Sequence, residues 1–282
     1  HAQGSIGGRH NSVNPLLGVM MGHESINAEL QRALEDEDVV AVVLRIDSGG
    51  GDSLTSDLMG HKVEQVAREK PVIISMVDVA ASGGYSMAYR GTWLVADELT
   101  VTGSIGSITA KFDMSEFYER IGFGRSHVSL GPNARWMDSG RPFTYEEKEM
   151  FEKRHMESFM EWVTDIARTR DMTVAQVDAL GQGRVWTGRQ AVENGLTDEV
   201  GGFWEAVAAA RRLAEIEEDT ETALWHLPEK QGMLSALLGG DDQSLSDAAR
   251  WLLYREVRRD LRTAKVATQP GRWHAVSPLY AD

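Results

Sequence analysis

The chain has 282 residues, enough for one large domain or two small ones. Its 43 acidic and 29 basic side chains give a net charge of −14, which argues against nucleic acid or anionic lipid as the main partner. The absence of cysteine excludes disulfides, thiolate metal sites and a cysteine nucleophile.

The first half of the chain alternates between predicted strands and helices. Residues 39–47 form a short apolar run rich in β-branched residues that ends in a glycine-rich turn, a pattern typical of a buried parallel strand. Apolar residues at helical spacing then continue up to Pro71. Residues 72–80 predict a second buried strand, 82–90 a helix and 93–96 a third strand. This alternation predicts an α/β core built from right-handed βαβ units.

The second half of the chain is predicted to be mainly helical. The predicted elements are a helix at 114–121, a strand at 127–130, a long helix at 144–170, a short helix at 173–176, a turn–helix–turn unit at 183–201 and an amphipathic helix at 203–217. We divide the chain into a domain over residues 1–217 and a partly helical extension over 218–282, in which residues 245–262 predict a helix.

Two glycine-rich turns follow two neighbouring predicted strands, at residues 47–52 and 80–85. Ligands of open α/β sheets bind outside such strand ends, so both turns are expected to face one crevice. A serine at a strand-to-helix turn, here Ser82, can be presented as in a nucleophile elbow. The N–H of Gly83 and one N–H from residues 49–51 can then hold an oxyanion. The alternatives are a phosphate cradle without a Walker lysine and a serine that only caps its helix.

Four motifs in order make the chain recognisable. They are VVAVVLRIDSGGGD at 39–52, PVIISMVDVAASGGYSMA at 71–88, VTGSIGSI at 101–108 and GRVWTGRQAVENGLTDEVGG at 183–202. The chain resembles the signal peptide peptidase A (protease IV) family of serine peptidases. The resemblance implies a Clp-protease/crotonase-like ββα superhelix, peptidase activity on extended peptides such as remnant signal peptides, and no cofactor or metal.

The resemblance also implies roles for individual residues. The serine of the Ala-Ser-Gly-Gly-Tyr motif is the family's nucleophile and corresponds to Ser82. The backbone N–H groups expected to form the oxyanion hole are those of Gly83 and Gly50. The residues expected to contact substrate are Gly49, Gly51 and Tyr85. Gly49 stands where the family usually has proline, so the resemblance leaves the choice between Gly49 and Gly50 open.

The family's general base is a lysine, and the matching position in this chain is Ala134. No lysine lies between Lys111 and Lys148, and Arg135 cannot replace one because a guanidinium is not deprotonated in proteins. Three explanations stay open. The chain can be the serine-bearing second half of a double-length member whose missing half or neighbour supplies the lysine. Alternatively, the lysine has been lost and the enzyme is inactive, or Lys111 is the base.

Other polar residues are expected to be structural. Four histidines are candidates for a Ser-His-Asp triad, but they are predicted to be solvated or core residues instead. They are His61, His127, His155 and His226. Asp47, Asp52 and Asp78 flank the crevice turns and are expected to be caps or surface groups, not metal ligands. The rival functions are a crotonase-type acyl-CoA hydratase or isomerase and a non-catalytic peptide-binding or assembly subunit.

The oligomeric state and the location of the protein are predicted from the resemblance and from the ends of the chain. The family implies a homo-oligomer arranged as a bowl, in a parent protein anchored in the cytoplasmic membrane with this domain on its outer side. No apolar run approaches the roughly 20 residues needed to span a bilayer, and the first residues lack the pattern of a leader peptide. Because residues 1–8 are typical of a strand already under way, we expect the chain to be part of a longer protein.

Overall fold

The computed structural model of the protein describes residues 1–16, 18–217 and 219–228. The strands are β1 (Ala2–Gln3), β2 (Ser5–Ile6), β3 (Ser12–Asn14), β4 (Gly18–Met21), β5 (Val42–Ser48), β6 (Val72–Ala81), β7 (Trp93–Ala96), β8 (Val101–Gly103), β9 (Val185–Thr187) and β10 (Glu199–Val200). The helices are α1 (His23–Glu35), α2 (Ser53–Ala67), α3 (Gly83–Ala88), α4 (Ser115–Arg120), α5 (Tyr145–Thr169), α6 (Val174–Leu180), α7 (Gly188–Glu193) and α8 (Phe203–Leu213).

The centre of the molecule is a parallel sheet in the order β1-β5-β6-β7-β10. Strand β8 adds in parallel to the end of β6, and β9 pairs antiparallel with β8. A second sheet of three strands, β2-β4-β3, lies beside it. Both faces of β6 are covered: Ile74 lies in the main core with α2 and α3, whereas Ile73 packs with the alanines of α8. This arrangement confirms the predicted α/β class and explains the continuous apolar character of the strand.

The strand predicted at 127–130 is wrong. Its residues form neither a helix nor a strand, and Val128 and Leu130 are 99% and 91% exposed. β-branched residues favour a strand only where a neighbouring strand and a packing surface exist, and the fold offers neither here. Helix α1 was not predicted, although Ile26, Leu30 and Ala33 are buried at helical spacing along it. The helix predicted at 245–262 lies outside the described residues, and residues 219–228 contain neither a helix nor a strand.

The end of α3 is held in place by a buried arginine. The Arg90 side chain is 7% exposed, and its Nη2 donates to Asp57 Oδ1 at 3.0 Å and to Asp165 Oδ2 at 2.9 Å. The Tyr89 hydroxyl also donates to Asp165. Burial raises the pKa of Asp165, but hydrogen bonds from Tyr89, Arg168 and Arg90 outweigh it and lower this pKa to about 2. Arg90 therefore joins α3 to α2 and α5 through two carboxylates.

We expect Arg90→Met to lower the free energy of unfolding by about 3 kcal/mol, because it leaves Asp165 partly buried and short of its main cation. The measurement is a urea titration followed by circular dichroism. Arg168→Ala is the matched control, since Arg168 pairs with the same carboxylate from an exposed position and should cost less than about 1 kcal/mol. Equal losses in the two variants would show that burial of Arg90 adds nothing.

Candidate active site

The two glycine-rich turns at the carboxyl ends of β5 and β6 meet, as predicted. A Cβ placed on Gly50 would lie 2.5 Å from the backbone N of Gly83 and 2.8 Å from Ser82 Cβ. One placed on Gly83 would lie 2.3 Å from Ser56 Oγ and 3.2 Å from Gly50 Cα. Such close approach of two backbones leaves no room for side chains, so glycine is required at both positions.

Ser82 occupies the turn between β6 and α3 in a strained conformation, with φ 53° and ψ −119°. Its N–H donates to the Gly103 carbonyl at 2.9 Å, and its carbonyl accepts from Ser86 N–H at 2.8 Å. These two bonds fix its backbone. The side chain makes no capping hydrogen bond to α3, so the alternative of a helix-capping serine is not realised. The hydroxyl of a half-buried serine is thus presented at a sharp strand-to-helix turn.

Two backbone N–H groups are available beside Ser82. Gly83 is the first residue of α3, where an N–H has no acceptor within the helix. Gly51 N lies 3.1 Å from the position that a Cβ on Gly83 would take. The carbonyl of Gly50 accepts from Ile6 N–H at 2.9 Å, on the side of β2. Because a trans peptide points its C=O and N–H in opposite directions, the Gly51 N–H faces away from β2.

Gly50 does not fit the donor role predicted for it. Its N–H already donates to Ser48 Oγ at 3.1 Å. The choice between adjacent glycines depends on which peptide plane faces Ser82, a property that the motif does not encode. The geometry thus favours Gly51 as the donor and leaves Gly50 as the residue that permits close approach.

Tyr85 and Gly49, both predicted to contact substrate, differ in exposure. Tyr85 is fully buried, and its hydroxyl donates to the Leu196 carbonyl at 2.8 Å. Burial raises the pKa of this hydroxyl above its ordinary value. Tyr85 is therefore a core residue and not the predicted substrate contact, because the face of α3 that carries it turns inward. Gly49 is exposed, and a Cβ there would meet nothing within 4 Å, so it borders open space.

The residues considered as a general base lie elsewhere. Ala134 is exposed in a turn. Lys111 places its Nζ 4.1 Å from the centre of the Phe143 ring, and this atom is buried without a hydrogen-bond partner among the described residues. Its described contacts therefore tie it to the segment that precedes α5. None of them reaches Ser82.

The histidines have other partners. The observed pairs are His61 with Asp57 and Glu64, His127 with Arg135, His155 with Ser107, and His226 with His1. Within residues 1–16, 18–217 and 219–228, no histidine forms a hydrogen bond with Ser82. A Ser-His-Asp triad is therefore not assembled in the described part of the chain.

The acidic residues beside the crevice hold backbone groups. Asp52 caps α2, where its Oδ1 accepts from the Thr55 N–H at 2.8 Å. Asp47 Oδ1 accepts from Val79 N–H at 3.3 Å. No group of three or more His, Asp or Glu side chains that could hold a metal occurs among the described residues. Asp52 thus has the capping role predicted for it.

The sequence analysis predicted no functional role for the loop that follows β8. Gly103 and Ser104 both have positive φ, 77° and 49°. Ser104 N–H donates to the Arg184 carbonyl at 2.7 Å, and Gly103 supplies the carbonyl that holds Ser82. A serine with left-handed backbone is uncommon and marks this loop as part of the site. The Thr-Gly-Ser-Ile-Gly motif is recognisable in the sequence, but the sequence analysis predicted no role for its residues.

No helix in the described ranges is both long and apolar enough to cross a membrane.

Comparison with known proteins agrees with the geometry. Residues 64–217 match Peptidase family S49. The chain is 40% identical over 230 residues to "Serine protease SPPA, chloroplastic" of Arabidopsis thaliana, covering 81% of this chain and 34% of that protein. It is 31% identical to "Protease 4" of Haemophilus influenzae (82% and 38% covered) and 33% identical to "Protease 4" of Salmonella typhi (73% and 32% covered). The chain thus spans about a third of the length of these relatives.

Proposed function

The chain belongs to peptidase family S49, and from that premise we propose that it is a serine endopeptidase with Ser82 as its nucleophile. Family membership and the parallel sheet together confirm the Clp-protease-like α/β fold. The observation that carries the proposal is the strained turn at Ser82, beside which the backbone nitrogens of Gly51 and Gly83 lie close together. A crotonase-type acyl-CoA enzyme is set aside because the chain matches a peptidase family.

The proposed reaction proceeds through an acyl-enzyme. Ser82 Oγ attacks the scissile carbonyl carbon of an extended peptide while a neutral lysine takes the hydroxyl proton. The oxyanion of the tetrahedral intermediate accepts hydrogen bonds from the N–H groups of Gly51 and Gly83. The C–N bond then breaks, and the amine leaves with the proton carried by the lysine. Water, deprotonated by the same lysine, hydrolyses the ester and restores Ser82.

One side of the glycine turn is available to substrate. On the other side, β2 already pairs with it: Ile6 N–H donates to the Gly50 carbonyl, and Asp52 N–H donates to the Ile6 carbonyl. The N–H and C=O of Gly51 take no part in that pairing. An extended peptide can therefore add along the free side, with main-chain bonds for affinity and side-chain pockets for selectivity.

We assign the general base to a lysine outside this chain, on a neighbouring subunit or on a further part of the parent protein. Large apolar side chains stay exposed between β8 and α5: Ile108, Phe112, Phe117, Ile121, Phe123, Val128 and Leu130. Such a concentration of exposed apolar side chains in one segment supports an interaction site there. A lysine buried by such a contact would have its pKa lowered toward the neutral form that the mechanism needs.

The substrates and location follow from the family resemblance and are part of the proposal. Remnant signal peptides are extended and apolar, which suits main-chain recognition beside Gly51. The parent protein is then a homo-oligomer anchored at the cytoplasmic membrane, with this domain on the outer side.

The test of the external base compares the isolated chain with the complete parent assembly. We expect a fluorophosphonate probe to acylate Ser82 in the assembly about 10²–10⁴ times faster than in the isolated chain, the usual effect of general base catalysis. The labelling rate should rise with pH through the pKa of the lysine in the assembly alone. Equal rates in both samples would exclude an external base.

A non-catalytic peptide-binding subunit is the second candidate, because none of the described lysines contacts Ser82. The same samples separate the two functions. Binding of a fluorescent apolar peptide by the complete assembly, with neither cleavage nor probe labelling, would select the non-catalytic role.

A further inference from the structure

We propose that the buried hydroxyl of Ser48 is a positioning group for the oxyanion hole, acting through the turn that carries Gly51. The inference rests on the proposed function and adds to it a residue that never touches substrate. Ser48 is the last residue of β5 and is 2% exposed.

Ser48 links two backbone segments through one short chain of hydrogen bonds. Its Oγ donates to the Gly4 carbonyl at 2.6 Å, between β1 and β2. The same oxygen accepts from Gly50 N–H at 3.1 Å. Because the hydroxyl has one proton and gives it to Gly4, its lone pair is directed to Gly50. The turn is thereby attached to the strand segment that also supplies the Ile6 N–H.

The two anchors fix successive peptide planes of the turn. The Ser48 hydroxyl holds the N–H of Gly50, and Ile6 N–H holds the carbonyl of the same residue at 2.9 Å. With both groups of Gly50 held, the next N–H, that of Gly51, faces away from β2, and its nitrogen lies beside Gly83. Neither anchor comes from substrate, so the donor is oriented before substrate binds.

The turn needs this anchor because its own sequence does not stiffen it. Three consecutive glycines occupy residues 49–51, and Gly50 and Gly51 have φ of 95° and 154°. Glycine populates many backbone conformations, so an unanchored peptide plane in this turn can rotate. Ser48 also supports α3, since a Cβ on Gly84 would lie 2.6 Å from the Ser48 carbonyl. Ser48 thus lies against both the glycine turn and α3, the two segments that carry the proposed oxyanion donors.

The test uses Ser48→Ala in the complete parent assembly, with Ser48→Thr as the variant that keeps the hydroxyl. We expect the second-order rate of fluorophosphonate acylation to fall about 10- to 100-fold in Ser48→Ala, less than the 10²–10³ for outright loss of an oxyanion donor. The KM for a peptide substrate should stay within about twofold, because the lost interaction is made only in the transition state. Ser48→Thr should recover most of the rate.

A second readout needs no catalysis. Hydrogen exchange, followed by mass spectrometry of the fragment that contains residues 47–52, should be at least about tenfold faster in Ser48→Ala, because the Gly50 N–H loses its acceptor. Ser75→Ala is the matched control: this serine is 1% exposed on β6 and lies away from the turn. Its substitution should change neither exchange at 47–52 nor the rate of acylation.

The outcomes separate this inference from the proposed function. Unchanged exchange at residues 47–52 or an unchanged acylation rate in Ser48→Ala would overturn the positioning role while leaving Ser82 as the nucleophile. A rise in KM that matches the fall in rate would also overturn it, since that pattern indicates general loosening of the site. Failure of the unsubstituted assembly to be acylated would reject the proposed function, and the exchange measurement would still decide whether Ser48 anchors the turn.

Discussion

Ser82→Ala is expected to abolish acylation by a fluorophosphonate probe and to lower kcat for peptide hydrolysis by on the order of 10⁶-fold in the complete assembly. The physical reason is that no other group can form the covalent intermediate once Oγ is removed. The measurements are gel detection of the labelled chain and release of a fluorescent peptide product.

Two controls keep this result interpretable. Ser86→Ala removes a buried serine one helical turn further along α3 and should leave labelling intact. The free energy of unfolding of Ser82→Ala should lie within about 0.5 kcal/mol of that of the unsubstituted protein, because the lost hydroxyl makes no capping hydrogen bond. Persistent labelling of Ser82→Ala would place the nucleophile elsewhere, whereas a large loss of stability would mean that the hydroxyl is structural.

The second large effect is expected for an alanine substitution in the glycine turn that follows β5. Gly50→Ala should destabilise the protein by about 2–4 kcal/mol and abolish acylation, because its Cβ would lie 2.5 Å from Gly83 N at a φ of 95°. Gly49→Ala should instead stabilise it by about 0.4–1 kcal/mol, since its Cβ meets nothing within 4 Å and its φ is outside the left-handed region. Denaturant titration and probe labelling measure both.

The adjacent pair makes the comparison stringent, because the two substitutions are chemically identical and one residue apart. Similar unfolding free energies for Gly50→Ala and Gly49→Ala would contradict the close approach of the two turns. Retained labelling in a destabilised Gly50→Ala would instead contradict the expected disruption of the oxyanion hole by this substitution.

Much of the site was predictable because it is local in sequence. The Ser-Gly-Gly turn after β6 identifies Ser82 and Gly83, since a strand, a tight turn and a helix follow one another without interruption. The strand predicted at 127–130 failed for the opposite reason: strand formation depends on a partner that only the whole fold provides. Tyr85 was misassigned because a motif position does not say which face of a short helix turns inward.

Four features could be predicted from the amino-acid sequence: the α/β class, the two crevice turns, the serine at their junction and the absence of a lysine at the family's base position. The choice of Gly51 over Gly50 as the proposed donor rests on the folded chain, in which the Gly50 N–H is already bonded to Ser48 Oγ. That choice depends on Ile6 and Gly4, which lie some 44 residues before the turn in the chain and hold it through backbone carbonyl and N–H groups. Every residue except proline carries both groups, so the pattern of side chains does not show which of them will form hydrogen bonds with each other.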